Sequence, residues 1–122
     1  MDQRKGSREF TILLVDDDDA ARGSTKELLL DLGYAVREAC SGAEALKLLE
    51  DFDAIDTVVS DHLMPGMTGS ELGILIGNRW PKLPILLISG YADLDSVAPG
   101  MHRLAKPFGR DQLLAELKRI EA

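Results

Sequence analysis

The stretch "TILLVDDDDA", residues 11–20, passes from an uninterrupted apolar run directly into four consecutive aspartates, Asp16, Asp17, Asp18 and Asp19. The apolar half has the composition of a short buried strand. The acidic half poses an electrostatic problem, because two unit charges about 4 Å apart repel by roughly 4 kcal/mol at the effective dielectric near a protein surface. A cation, the start of a helix, or solvent must offset that repulsion.

Outward from this stretch, four more short apolar runs follow: "YAVREA" (34–39), "IDTVVS" (55–60), "PILLIS" (84–89) and "MHRLA" (101–105). Segments of helical period separate them. The first runs from about Asp19 to Leu32, with Ala21, Leu28, Leu29 and Leu32 apolar and Gly33 as its C-terminal glycine. The second starts at a Ser41-x-x-Glu44 capping box and continues through Leu46, Leu48 and Leu49. The third starts at Thr68-x-x-Glu71 and ends near Arg79, ahead of Pro81 and Pro84. The last fills "GRDQLLAELKRIEA" at 109–122. Strands alternating with helices are the sign of βα units around a parallel sheet. Residues 34–39 alternate as a half-exposed edge strand, whereas residues 55–60 have a central-strand pattern. "GYADLDSVAPG" (90–100) is short and broken, with room for about two helical turns before Pro99 and Gly100.

Composition narrows the function. With 122 residues, 45% of them hydrophobic and 29% charged, the chain suits one folded domain, expected over residues 10–122 behind a flexible lead-in of residues 1–9. A net charge of -7 argues against direct nucleic-acid binding, which needs clustered Lys and Arg. No apolar segment follows the basic start "MDQRKGSREF", and the run "ILLIS" (85–89) is far too short to span a bilayer, so neither secretion nor membrane insertion is expected. The single cysteine, Cys40, excludes an intramolecular disulfide; it is expected to be a small, partly buried thiol in a reducing cytoplasm.

In a right-handed parallel βαβ sheet, the residues just after each strand gather at one edge, where ligands bind. Four junctions carry polar groups there: Asp16 and Asp17 after the first strand, Asp61 after the third, Ser89 at the end of the fourth, and Lys106 after the fifth.

"LLVDDD", "VVSDHLMPGMTG", "ILLISGYA" and "AKPF", in that order and spacing, make the chain resemble the receiver domains of bacterial two-component response regulators over nearly all of residues 10–121. The resemblance implies an α/β, flavodoxin-like three-layer sandwich with a five-stranded parallel sheet in the order 2-1-3-4-5 and a shortened fourth helix. It also implies Asp61 as phosphoacceptor, Asp16 and Asp17 as the acidic pair for Mg²⁺, and Ser89 and Lys106 as the switch hydroxyl and the conserved-type lysine. In the family's arrangement Asp17 and Asp61 bind Mg²⁺ directly, the backbone carbonyl of Leu63 adds a ligand, and Asp16 acts through water.

Elementary chemistry agrees with these roles. A carboxylate is a competent nucleophile for phosphoryl transfer, which depends on positioning and on neutralising the oxygens. Mg²⁺ prefers oxygen ligands and keeps several waters, so one or two carboxylates plus phosphoryl oxygens suit it. The implied partner is a histidine kinase or a histidine phosphotransfer protein, and the implied activity is self-phosphorylation and dephosphorylation, not turnover of a separate substrate. The alternative is a pseudo-receiver that acts as an interaction module without phosphorylation. The chain is expected to be a monomer or weak dimer.

Plainer readings apply elsewhere. Asp18 and Asp19 read as N-caps, His62 as a loop side chain beside the site, His102 as structural, and Trp80 as packing at a helix end. The Asp16-x-Asp18 spacing also occurs in the haloacid-dehalogenase nucleophile motif, but Asp19-Ala20 stands where that family has Gly-Thr; an EF-hand fails at Ala20, where an oxygen ligand belongs. Three features depart from the commonest receiver pattern. The segment from Ser89 to Lys106 is short, Arg103 occupies the usual aromatic switch position, and Leu63 and Tyr91 stand where relatives can carry polar side chains that orient the hydrolytic water. These imply a different readout and a long-lived phosphoryl group. A shortened fourth helix with "LLISGYAD" and "LAKPF" is similar to receivers at the C-termini of hybrid sensor histidine kinases, with a stand-alone regulator as the close alternative.

Overall fold

A computed structural model describes residues 9–52, 54–90 and 101–121. Five strands, β1 (Thr11–Val15), β2 (Ala35–Ala39), β3 (Thr57–Asp61), β4 (Ile85–Gly90) and β5 (His102–Lys106), alternate with helices α1 (Asp19–Asp31), α2 (Gly42–Asp51), α3 (Gly69–Arg79) and α4 (Arg110–Glu121). The sheet order is β2-β1-β3-β4-β5, and every neighbouring pair is parallel, as the alternation of elements predicts.

Because side chains alternate along a strand, each central strand feeds two cores. Ile12 and Leu14 of β1 join Val59, Leu86 and Ile88 beneath α1 and α4, where Leu29, Leu113 and Leu117 are fully buried. Leu13 and Val15 join Val58, Ile85 and Leu87 on the other face, against Ala45 and Leu49 of α2 and Leu72 and Ile76 of α3. Both faces of the sheet are therefore covered, which is why the central strands read as continuous apolar runs. The edge strand β2 is only half-buried, and β5 is more exposed still, with His102 on the open side rather than in an apolar environment.

Helix starts follow the predicted chemistry with two exceptions. Thr68 and Glu71 form a full capping box: the Thr68 hydroxyl accepts the Glu71 N–H at 3.1 Å, and the Glu71 carboxylate accepts the Thr68 N–H at 2.8 Å. Ser41 accepts the Glu44 N–H at 3.1 Å, but Glu44 reaches one residue further back, to the Cys40 N–H at 2.6 Å, so the second box is offset. Asp18 is the N-cap of α1 and accepts from the N–H groups of Ala20 and Ala21. Asp19 is not a cap; it is the first helical residue and its carboxylate takes the Arg22 guanidinium instead. At the far end of α1, Gly33 has φ +100°, a left-handed conformation that glycine adopts without penalty.

Cys40 is exposed, not partly buried, because it sits in the loop just past the edge strand. Trp80 closes α3 as its C-cap, packs against the α2–α3 core and lies under the Arg79 guanidinium at 4.4 Å, in line with its packing role. The lead-in at residues 1–8 and residues 91–100, which hold Tyr91, Pro99, Gly100 and the expected short helical turns, lie outside the described residues. Among the described residues, no helix is long and apolar enough to cross a membrane.

Leu86 is fully buried at the centre of β4. Leu86→Ala is expected to lower unfolding free energy by about 2–5 kcal/mol. Denaturant titration should show an earlier midpoint with little change in slope.

Candidate functional site

The C-terminal edge of the sheet is built by register. Asp61 pairs with Ile88, and Gly90 pairs with Lys106, so β3, β4 and β5 end side by side. Asp61 and Lys106 are the last residues of their strands, not the first after them. Lys106 must reach past the end of β4 to meet Asp61, and the residue opposite it there is Gly90, which has no side chain to obstruct the path. Its Nζ lies 2.7 Å from Asp61 Oδ1. The Lys106–Pro107 peptide bond is cis.

Asp16 and Asp17 follow β1, the neighbour of β3. Asp16, Asp17 and Asp61 each offer a carboxylate oxygen within 4.8 Å of the others. Asp16 is buried at 8% exposure, Asp61 is partly buried and Asp17 is exposed. Burial is the main cause that pushes the Asp16 carboxyl above its ordinary pKa; the bond from the Asp18 N–H and the charge of Lys106 pull it down, and the charges of Asp61 and Asp17 push it up. Among the described residues, three carboxylates share one paired ammonium, so negative charge exceeds positive within the cluster.

Those facts fit a divalent cation bound through oxygen. In an octahedral Mg²⁺ shell with bonds near 2.1 Å, ligand oxygens lie roughly 3 to 4 Å apart, close to the span of the three carboxylates. The donor set is all oxygen, with no sulfur or imidazole among these three residues, which suits Mg²⁺ over zinc or copper.

Ser89 is 2% exposed, and its hydroxyl finds no hydrogen-bond partner among the described residues. Leu63, two residues beyond Asp61, is 54% exposed. Arg103 is exposed on the edge strand β5. His62 departs from expectation: it is 2% exposed and belongs to the interior, with Nδ1 accepting the Ser70 N–H at 3.3 Å and lying 3.4 Å from the Ser70 hydroxyl. Its own N–H donates to the Ile88 carbonyl at 2.9 Å. His62 therefore ties the end of β3 to β4 and to the start of α3.

Two further residues shape the site without having been expected there. A Cβ at Gly69 would meet the Asp61 carbonyl oxygen at 2.6 Å and the His62 Cα at 2.9 Å, so α3 can begin this close to Asp61 only with glycine. Its N–H donates to the His62 carbonyl at 2.7 Å. Arg22 donates from Nη1 to the Asp16 carbonyl at 2.8 Å, behind the acidic pair. Its position one turn from Asp18 and Asp19 was the available signal; Gly69 gave none beyond its place after a helix cap.

Comparison with known proteins gives a consistent result. A family model described as the response regulator receiver domain matches residues 12–118. The chain is 38% identical over 121 residues to the sensor kinase CckA of Brucella abortus, covering 93% of this chain and 13% of that protein. It spans between 23% and 49% of the length of further curated relatives. Among solved structures, a response regulator receiver domain protein of Clostridium thermocellum superposes with a TM-score of 0.86 at 26% identity, covering 91% of this chain and 93% of that one. The receiver domain of the hybrid histidine kinase CckA gives 0.77 at 34% identity, covering 92% and 99%.

The raised pKa of Asp16 makes a pH prediction whose sign is definite. A carboxyl with its folded pKa above the unfolded value stabilises the fold below the unfolded pKa, and that contribution is lost as pH rises through the folded pKa. Asp16→Asn, which keeps the oxygen that accepts the Asp18 N–H, is therefore expected to raise the melting temperature of metal-free protein at pH 7. The gap from wild type should shrink as pH falls toward 3.8. Thermal melts in chelator across that range check both statements.

Proposed function

The chain belongs to the response regulator receiver domain family, and from that premise we propose that it accepts a phosphoryl group on Asp61 from a phosphohistidine of a histidine kinase or histidine phosphotransfer protein. The observation that carries the reading is the Lys106–Asp61 ion pair at 2.7 Å within a cluster of three carboxylates at one sheet edge. An Asp61 carboxylate oxygen forms the new O–P bond as the donor's N–P bond breaks, and the electron pair leaves with the imidazole nitrogen. Positioning and charge neutralisation do most of the work in such a transfer.

Lys106 holds the Asp61 carboxylate before transfer and is placed to follow the negative charge onto a phosphoryl oxygen afterwards. The buried Ser89 hydroxyl, without a partner among the described residues, would donate to another oxygen of the group, a bond that exists in the phosphorylated state and so can report it. Asp16, Asp17, Asp61 and the Leu63 carbonyl would hold Mg²⁺, which when bound neutralises phosphoryl oxygens. The chain's chemistry is thus limited to its own phosphorylation and dephosphorylation. Likeness to the CckA kinase and to a hybrid-kinase receiver supports a place in a hybrid sensor kinase phosphorelay.

Incubation with Mg²⁺ and a small phosphodonor is expected to add the mass of one phosphoryl group to intact protein, and none to Asp61→Asn. The same mass gain in Asp61→Asn would overturn the assignment. Mg²⁺ binding to the folded state alone at one hundred times its Kd stabilises by about 2.7 kcal/mol. The melting temperature should rise with Mg²⁺ in wild type and far less in Asp17→Ala.

A further inference from the structure

Arg22 lies one turn into α1, and its side chain is only 16% exposed. Its fork reaches three separate places. Nη1 donates to the Asp16 carbonyl at 2.8 Å, Nη2 to Asp19 Oδ1 at 2.7 Å, and Nε to Glu38 Oε1 of β2 at 3.1 Å. The other Glu38 oxygen takes Lys26 Nζ at 2.8 Å, so Glu38 is pinned from both sides. The Asp16 N–H meanwhile donates to the Ala39 carbonyl at 3.1 Å. The peptide groups flanking Asp16 are therefore anchored on one side to β2 and on the other to α1.

We propose that Arg22 is a positioning residue for the divalent cation site. Its bond to the Asp16 carbonyl fixes the backbone of the Asp16–Asp17 pair, and Asp19 and Glu38 fix the guanidinium itself. The inference rests on the cation reading given above. An isolated surface ion pair would carry no such role, since exposed pairs contribute little. Arg22 differs because a rigid planar donor spans three acceptors, in the loop after β1, on its own helix and on β2, a geometry that a lysine ammonium cannot reproduce.

Charge supports the assignment. Arg22 and Lys26 face Asp19 and Glu38, two cations against two carboxylates. Each cation of the network has a carboxylate of its own, with Glu44 a further one in the field of Arg22, so the network holds the acidic pair without directing its charge at it. Lys106 is the cation that does face the trio, and it pairs with Asp61. Positioning and neutralisation are thus divided between two residues on opposite sides of the cluster. Without the Arg22 anchor, mutual repulsion would move Asp16 and Asp17 apart in the absence of metal, and each binding event would have to reassemble them.

The test uses the full 122-residue chain. Mg²⁺ affinity is measured by calorimetry and Mn²⁺ affinity by electron paramagnetic resonance, at a temperature where circular dichroism shows every variant folded. Arg22→Ala and Arg22→Lys are expected to weaken both affinities by about tenfold or more, as loss of supporting groups around a metal site does. Arg79→Ala, which removes the guanidinium lying 4.4 Å over the Trp80 ring together with its pair to Glu50 at the far end of α3, should leave affinity within twofold while lowering the melting temperature. That contrast separates positioning from general stabilisation. Wild-type affinity in Arg22→Ala, or full rescue by Arg22→Lys, overturns the inference while leaving the phosphoacceptor reading intact. If wild type itself binds neither metal, the cation reading fails and this inference with it. Should Arg22→Ala not fold, Arg22→Lys and Glu38→Ala carry the test. Glu38→Ala removes the oxygen that accepts from Nε, frees one arm of the guanidinium and is expected to weaken affinity by less than Arg22→Lys, and no weakening in both overturns the inference.

Discussion

Like charge held together at one edge of a sheet is the constraint on which the rest of the structure depends. Asp16, Asp17 and Asp61 bring carboxylate oxygens within 4.8 Å of each other, and Lys106 is the cation paired within the cluster. Left to themselves the carboxylates would separate into solvent, where their repulsion falls to about 1 kcal/mol per pair at 4 Å. They stay because their backbones are not free to move. Asp61 is the last residue of a central strand, and Asp16 follows another whose side chains are almost fully buried on both faces.

Rigidity at Asp61 comes from behind as well as from the ladder. The His62 N–H bonds the Ile88 carbonyl, the His62 carbonyl accepts the Gly69 N–H, and the His62 ring meets the Ser70 backbone. The first turn of α3 is thereby pressed onto the end of β3, at a distance that only a residue without Cβ permits. A histidine beside Asp61 invites a catalytic role, but burial and these bonds make it a brace. On the other side of the cluster, Arg22 does for Asp16 what this brace does for Asp61. The acidic site is held by neighbours that carry little of its charge.

Much of this was legible in the sequence because it follows from period and junction chemistry. Uniform apolar runs mark central strands, alternation in residues 34–39 marks an edge, and the strand ends point to Asp16, Asp17, Asp61 and Lys106, which the structure brings together. What escaped depends on distances that spacing does not encode. Glu44 caps the Cys40 N–H and not that of Ser41, because the chain turns off the edge strand there. His62 looked like loop because it follows a strand, yet the docking of α3 buries it. Asp19 and Asp18 have identical side chains, and a single residue's shift in helical position makes one a cap and the other an ion-pair partner.

Two groups at this edge are left incomplete, and their needs differ in sign. Asp16 is buried with its carboxyl pushed toward the neutral form, which calls for positive charge. Ser89 is a buried hydroxyl with no partner among the described residues, a state that costs about 1–3 kcal/mol and calls for an oxygen acceptor. A cation alone would satisfy the first and leave the second. A surface built solely to bind another protein would have little use for either, since both are buried. On the proposed function, a phosphoryl group on Asp61 beside a divalent cation would meet both requirements, and it would also accept the ammonium that Lys106 presents to Asp61. The proposed phosphoacceptor role thus accounts for two opposite deficits at one sheet edge, where a bare cation site accounts for the first alone.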